Sequence, residues 1–243
     1  MTLINTIEFK RNRFDGLRYR IRMSSSPNLS VHRLMGAQNK PLKKFRHVFL
    51  DAEGTIYVPR KGHTQYEFWA GEHTPEQALK FFELDAGAAE AIRELRRDVE
   101  TLCIVSLNPK PILYALLEKF GIKEAFDEIM LNGNKGHIIR DYLRKHNLRS
   151  DHAIMIGDMP RIDLYPVKRA GIESVLVDRY YNQGVPAERI RGLSELPAWL
   201  RIADLVEEMS PPPRVKPLDE FVTAYELSGH QDNKTKSPLC VPG

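Results

Sequence analysis

Three short apolar runs in this chain each stop on a polar side chain. Val48-Phe49-Leu50 runs into Asp51, Leu102-Cys103-Ile104-Val105 into Ser106, and Ala153-Ile154-Met155-Ile156 into Gly157-Asp158. Runs without polar alternation, four or so residues long, read as strands buried on both faces. Between them the apolar period lengthens to that of a helix. Ala88, Ile92, Leu95 and Val99 fall on one stripe. Leu113, Leu116, Leu117 and Phe120 form a second, opened by Pro109 or Pro111 and closed by Gly121. Ile138, Ile139, Tyr142 and Leu143 form a third. Further strands are expected from Phe126 to Leu131 and from Ser174 to Val177, and a last helix over 195–208. Strands alternating with helices predict an α/β fold, a doubly wound parallel sheet of five or more strands over about residues 44–208. In such sheets a ligand sits outside the carboxyl ends of the strands. Asp51, Ser106 and Asp158 all fall there.

The flanks read differently. Residues 1–47 hold eleven Lys or Arg against two acids, Glu8 and Asp15, a charge of +9 that leaves −5 for the rest. A basic N-terminal extension over 1–43 is therefore expected, one that could engage an anionic partner such as nucleic acid or a membrane surface. It carries no recognised nucleic-acid motif, so a solvated arm is the plainer reading; its Arg and Ser content also suits a transit peptide, against which Glu8 and Asp15 count. Within it, Leu17-Arg18-Tyr19-Arg20-Ile21-Arg22-Met23 alternates apolar and basic residues behind Asp15-Gly16, the pattern of a short hairpin with one basic face. Residues 24–42 read as linker, and 209–243, opening near Pro211-Pro212-Pro213, as a flexible Pro-rich tail. No apolar run approaches the roughly 20 residues that span a bilayer. Two distant cysteines, Cys103 and Cys240, suggest neither a disulfide framework nor a thiolate metal site, and a cytoplasmic setting is expected. Among the eight histidines no metal-ligand spacing occurs.

The segment Val48-Phe49-Leu50-Asp51-Ala52-Glu53-Gly54-Thr55 resembles the first motif of the haloacid dehalogenase superfamily, an apolar strand followed by DxDGT. Ser106 ends the next strand, as that superfamily's Ser/Thr does. Lys135 precedes a helix 23 residues before Asp158, and Gly157-Asp158 to Asp163 resembles the acidic GDxxxxD motif. The resemblance covers residues 46–200. It implies a phosphohydrolase of the phosphatase branch in which Asp51 is a nucleophile that becomes transiently phosphorylated. Glu53 would be the general acid and base, Ser106, Lys135 and Gly54 phosphate ligands, and Asp51, Glu53, Asp158 and Asp163 the surroundings of Mg²⁺. The residue types suit this chemistry. A carboxylate attacking a phosphate dianion needs positive charge between the two, and hard Mg²⁺ takes oxygen ligands. Lysine neutralises phosphate, and a hydroxyl donates to it.

Glu53 stands where the superfamily more often has a second Asp. The enolase-phosphatase branch similarly has Glu, whereas the dehalogenase and phosphonatase branches lack an acid at this place. Asn108 is assigned no role. From Asp51 to Ser106 is 55 positions and from Ser106 to Lys135 is 29, too few for a full cap domain beside the core helices. A capless or minimally capped member is expected, with the aromatic stretch 56–84 as the only local cover. Its Tyr57, Tyr66, Phe68 and Trp69 are expected to pack rather than to touch substrate. The rival reading is a degenerate phosphate-site scaffold whose basic arm binds a partner. Taken singly, Asp51, Asp158 and Asp163 could each be turn or cap residues. Jointly, in register with Ser106 and Lys135, they favour the enzyme.

Overall fold

The computed structural model describes residues 4–11, 17–23, 41–70 and 73–209, the first two stretches by their backbone alone. Those two stretches pair. Strands β1 (Ile4–Arg11) and β2 (Leu17–Met23) are antiparallel, with Phe9 across from Tyr19 and Arg11 across from Leu17, so the expected hairpin exists. The turn between them, the expected basic face, the linker over 24–40 and the tail from 210 lie outside the described residues.

The main sheet has six parallel strands in the order β10-β9-β8-β3-β6-β7. These are β3 (His47–Leu50), β6 (Thr101–Ser106), β7 (Glu128–Leu131), β8 (Ala153–Gly157), β9 (Glu173–Val177) and β10 (Arg189–Ile190). Strand β3 is central, with Leu50 paired to Ile104 on one side and Ile156 on the other. Successive side chains point to opposite faces of a strand, and the core divides accordingly. Val48, Leu50, Leu102, Ile104, Ile154 and Ile156 pack on one face. They meet helices α3 (Ala88–Asp98), α4 (Lys110–Lys119) and α7 (Leu196–Met209) through residues such as Ile92, Leu116 and Leu200. Phe49, Cys103, Val105 and Met155 pack on the other. They meet α5 (Lys135–Lys145) and α6 (Tyr165–Arg169) through Ile139, Leu143 and Val167. Both faces are covered, which is why these strands read as unbroken apolar runs. From β3 the chain first builds outward to β6 and β7, then crosses back to β8, so the strand order reverses beside β3. Such a switch leaves a crevice at the carboxyl ends of the strands, and Asp51 stands at its edge.

Residues 56–84, read from sequence as irregular, are ordered. Strands β4 (Tyr57–Pro59) and β5 (Phe82–Leu84) pair antiparallel, and two short helices, α1 (Gln65–Trp69) and α2 (Pro75–Phe81), lie between them. Each helix begins with a reciprocal cap. Thr64 accepts from the Glu67 N–H while Glu67 accepts from the Thr64 N–H, and Thr74 and Gln77 do the same. That Thr-x-x-Glu/Gln signature stands in the sequence and marks helix starts. Phe68, Phe81 and Phe82 cluster with ring centroids 4.9–5.1 Å apart, fixing the insert to the body. No large cap occurs among the described residues; this insert is all that stands between β3 and α3.

The packed body begins slightly earlier than residue 44. Leu42 is buried and donates its N–H to the Asp98 carbonyl, and the Lys43 and Lys44 amides donate to Asp204 in α7. Strand β10, two residues long, is too short to show a period. Burial pushes the Cys103 thiol up to about 11, which keeps it an inert apolar side chain. Among the described residues no helix is long and apolar enough to cross a membrane.

Candidate active site

Asp51 leaves β3 in strand register, its N–H donating to the Ile156 carbonyl at 2.8 Å, so its carboxylate is fixed at the strand end. Lys135 opens α5, whose first turn is capped by Asn134 accepting from the His137 N–H. The Lys135 ammonium is buried and donates to Asp51 Oδ1 at 2.5 Å and Asp163 Oδ1 at 2.6 Å. Asp163 lies in a π-helical turn over Pro160–Leu164 and is fully buried; its Oδ2 accepts from the Met159 N–H at 2.8 Å. Asp158, also fully buried, accepts from the Tyr181 hydroxyl through Oδ2, and its Oδ1 has no partner.

Glu53 points elsewhere. The Trp69 indole N–H lies 2.9 Å from both of its oxygens, and Asn108 Nδ2 donates to Oε2 at 2.8 Å. Asn108 in turn accepts from the Ser106 hydroxyl at 2.8 Å and donates its N–H back to it at 3.2 Å. A chain of hydrogen bonds thus runs from the end of β6 through Asn108 to Glu53.

Three clustered carboxyl groups share one buried cation, Lys135, which two of them contact directly. Burial, then the charge of Asp163, push Asp158 up to about 6; for Asp163 burial and the charge of Asp51 also give about 6. Burial raises Asp51 to about 6 against the pull of Lys135. Burial also raises Glu53, to about 7, against its bonds from Trp69 and Asn108. For Lys135, burial works against the charge, yet Asp51 and Asp163 outweigh it and hold its pKa above the usual value. Carboxylates packed this way need protons or more positive charge. Oxygens of Asp51, Asp158 and Asp163 lie within 4.8 Å of one another. An all-carboxylate set with a bare buried oxygen at Asp158 fits a hard divalent cation such as Mg²⁺.

The structure brings Asp51, Lys135, Asp158 and Asp163 together, whereas three other expected site residues have partners of their own. The Glu53 carboxylate is not among the clustered oxygens; Trp69 and Asn108 turn it away from them. Ser106 is fully buried, and its hydroxyl donates to Asn108, whose amide in turn reaches Glu53. Gly54 does not offer its N–H, which donates to the Tyr57 carbonyl at 2.8 Å. Its glycine identity has another cause: φ is +74°, and a Cβ would lie 2.2 Å from Asp158 Oδ2. Trp69 packs as expected, against the core and Phe68, and in addition holds Glu53.

Sequence reasoning also missed the segment after β9. Arg179 Nε donates to the Gly54 carbonyl at 2.7 Å while its Nη2 reaches Asp85 at 2.9 Å. Asn182 Nδ2 donates to the Asp158 carbonyl at 2.7 Å. These residues clasp the loops carrying Asp51 and Asp158. The signal was available, because Arg179 to Asn182 follow an apolar run at a strand's carboxyl end, as Asp51 and Asp158 do.

A family model for haloacid dehalogenase-like hydrolases matches residues 1–177. Solved structures share the fold. An uncharacterized protein from Listeria monocytogenes serotype 4b is 18% identical, with a TM-score of 0.52 over 65% of this chain and 98% of its own. A haloacid dehalogenase-like hydrolase from Xanthomonas campestris is 15% identical, with a TM-score of 0.53 over 69% and 100%. A HAD phosphatase from Thermococcus onnurineus is 18% identical, with a TM-score of 0.52 over 64% and 98%. No curated protein matches. A family match over well more than half of the chain, on a sheet that sets its acids at the expected strand ends, has one reading: this chain belongs to the haloacid dehalogenase-like hydrolases.

Proposed function

We propose that the protein is a Mg²⁺-dependent phosphate monoester hydrolase working through a phosphorylated Asp51. The observation that carries this reading is the meeting of Asp51, Asp158, Asp163 and Lys135 in one buried cluster, with a second acid, Glu53, held beside it but outside it. Two acids with separate environments are what a two-step transfer needs.

An Asp51 oxygen attacks phosphorus, and the bond from phosphorus to the leaving oxygen breaks. Glu53, protonated in its raised-pKa state, gives its proton to that oxygen, so an alcohol departs. The resulting carboxylate then takes a proton from water, whose oxygen attacks phosphorus and frees Asp51 and inorganic phosphate. Lys135 neutralises phosphate charge throughout. Asp51, Asp158 and Asp163 would hold Mg²⁺, which when bound offsets the repulsion between carboxylate and phosphate. The acid at Glu53 favours phosphate over halide chemistry, since a carbon–halogen bond leaves no oxygen to protonate. That a structural relative from Thermococcus onnurineus is called a phosphatase agrees with this.

The test is release of phosphate from p-nitrophenyl phosphate with and without Mg²⁺, by wild type and by Asp51→Asn. Metal-dependent release that Asp51→Asn abolishes is the expected result. Equal release by both proteins would remove Asp51 from the mechanism.

A further inference from the structure

The cleft over the acids measures about 340 Å³, room for a phosphate and one modest group. Its floor is charged and its walls are not. Trp69, Leu107, Pro109, Met159 and Ile162 form them. Leu107 is 45% and Met159 38% exposed, side chains that a folded domain would normally cover. The apolar surface continues past the rim. Tyr181, whose hydroxyl donates to Asp158, is partly exposed, and exposed Tyr180 lies edge-on to it at 4.9 Å between centroids.

Two polar side chains of the same lining, Asn108 and Glu53, are already engaged. Asn108 bridges Ser106 and Glu53, and Glu53 is held by Trp69 and Asn108. Lys135 is the only cation among the lining residues, and two carboxylates hold it at the floor. Beyond the Gln65 and Asn108 amides, a sugar's hydroxyls would meet apolar walls, and most would lose water without replacement. Among the described lining residues a second phosphate would find no cation beyond Lys135. A flat or chain-like apolar group would instead cover exposed Leu107 and Met159 and gain from their burial.

We infer that the alcohol half of the substrate is apolar, an arylalkyl or aryl phosphate monoester rather than a sugar phosphate or nucleotide. This rests on the hydrolase reading above, and it adds that Leu107 and Met159 determine specificity.

The experiment compares 2-phenylethyl phosphate with glycerol 3-phosphate, using the full chain and Mg²⁺. Both release a primary alcohol, so the bond-breaking step is closely matched and the difference reports on the walls. The expected result is a kcat/KM about tenfold or more higher for the phenylethyl ester, the scale of discrimination an apolar pocket gives. Most of it should appear in KM. Leu107→Asn and Met159→Gln, both at exposed positions, should each shrink the ratio several-fold. A ratio near one, or above one for glycerol phosphate, overturns the inference and leaves the hydrolase reading standing. A ratio unchanged in both variants overturns the role of these walls. No Asp51-dependent release from either ester, nor from p-nitrophenyl phosphate, overturns the hydrolase reading and this inference with it.

Discussion

The floor and the cover of this site are built on opposite principles. The floor is strand ends and the first residue of a helix: Asp51 after β3, Asp158 after β8, Lys135 at the start of α5. Its side chains are at most 6% exposed and are fixed by a sheet whose every central residue is buried. The cover is a short insert of two one- to two-turn helices that delivers Trp69 and Gln65 over the floor. The floor can hold charge in place; the cover can shape what approaches it. Substitutions in the floor should therefore remove turnover and stability together, whereas substitutions in the cover should redistribute rate among substrates.

The largest effect is expected at Lys135. Lys135→Met keeps the length of the side chain but leaves Asp51 and Asp163 without their shared cation. Breaking a buried pair in this way costs about 3–5 kcal/mol, and loss of a charge that stabilises transferring phosphate costs on the order of 10²–10³ in kcat. Chemical denaturation and steady-state rates read both. A variant as stable as wild type would show that Lys135 is not balancing those acids.

Next comes backbone clearance beneath the floor. A Cβ at Gly157 would stand 2.3 Å from the Asp163 carboxyl carbon, and one at Gly136 would stand 2.2 Å from the Pro166 carbonyl oxygen. Neither glycine has a positive φ, so the constraint is space alone. Gly136→Ala must displace backbone and should cost about 2–3 kcal/mol, within the range for overpacking. Gly157→Ala also meets the Asp163 Cβ at 2.5 Å, so it must shift the turn that carries Asp163 and should lower activity at least as much as stability. Thermal denaturation beside turnover would separate the two, and a larger loss of stability than of activity would mean that the Asp163 turn cannot yield either.

The cover gives a smaller and more selective effect. Trp69→Phe keeps the ring but removes the N–H that holds Glu53. If Glu53 protonates the leaving oxygen, a misplaced acid matters most where that oxygen is basic. Hydrolysis of an alkyl phosphate should fall about tenfold or more, part of the 10²–10⁴ that proton transfer supplies, while p-nitrophenyl phosphate, whose leaving group needs little help, should barely change. Equal losses on both esters would reduce Trp69 to packing.

The same contrast explains what could be read from the sequence. Strand runs with a polar residue at the end are written locally, because burial on both faces forces an apolar string and the loop that follows is where function is carried. Asp51, Asp158 and the sheet itself were legible for that reason, and Lys135 by its place at a helix start 23 residues before Asp158. Trp69 was not, because its indole meets Glu53 from 16 residues away, across an insert whose path depends on the Phe68–Phe82 cluster. The capping residues Thr64 and Thr74 announced two helices there, but not where those helices would point. Ser106 and Gly54 show the reverse limit. Both stand at the positions the resemblance predicts, yet a hydroxyl or an amide has other partners to choose from, and Asn108 and Tyr57 took them. Arg179 and Asn182 could have been found by applying the strand-end rule once more, after β9.

The last difference between floor and cover is electrostatic and shows in how stability follows pH. Asp158 is carried to about 6, by burial first and by Asp163 next, from an ordinary carboxyl value near 4. The folded state thus holds a proton there that the unfolded chain has already released. Stability falls with rising pH wherever the folded state binds more protons, so Asp158 should destabilise the protein progressively from about pH 4 to 6 and level off above. In metal-free buffer the melting temperature of wild type should decline across that window more than that of Asp158→Asn, which cannot titrate. Added Mg²⁺ should raise the wild-type melting temperature most at the upper end, where the carboxylates are charged and ready to bind it. Parallel curves for the two proteins in metal-free buffer would mean that Asp158 keeps its charge when folded, and that Tyr181 and Lys135 already offset its burial without a metal.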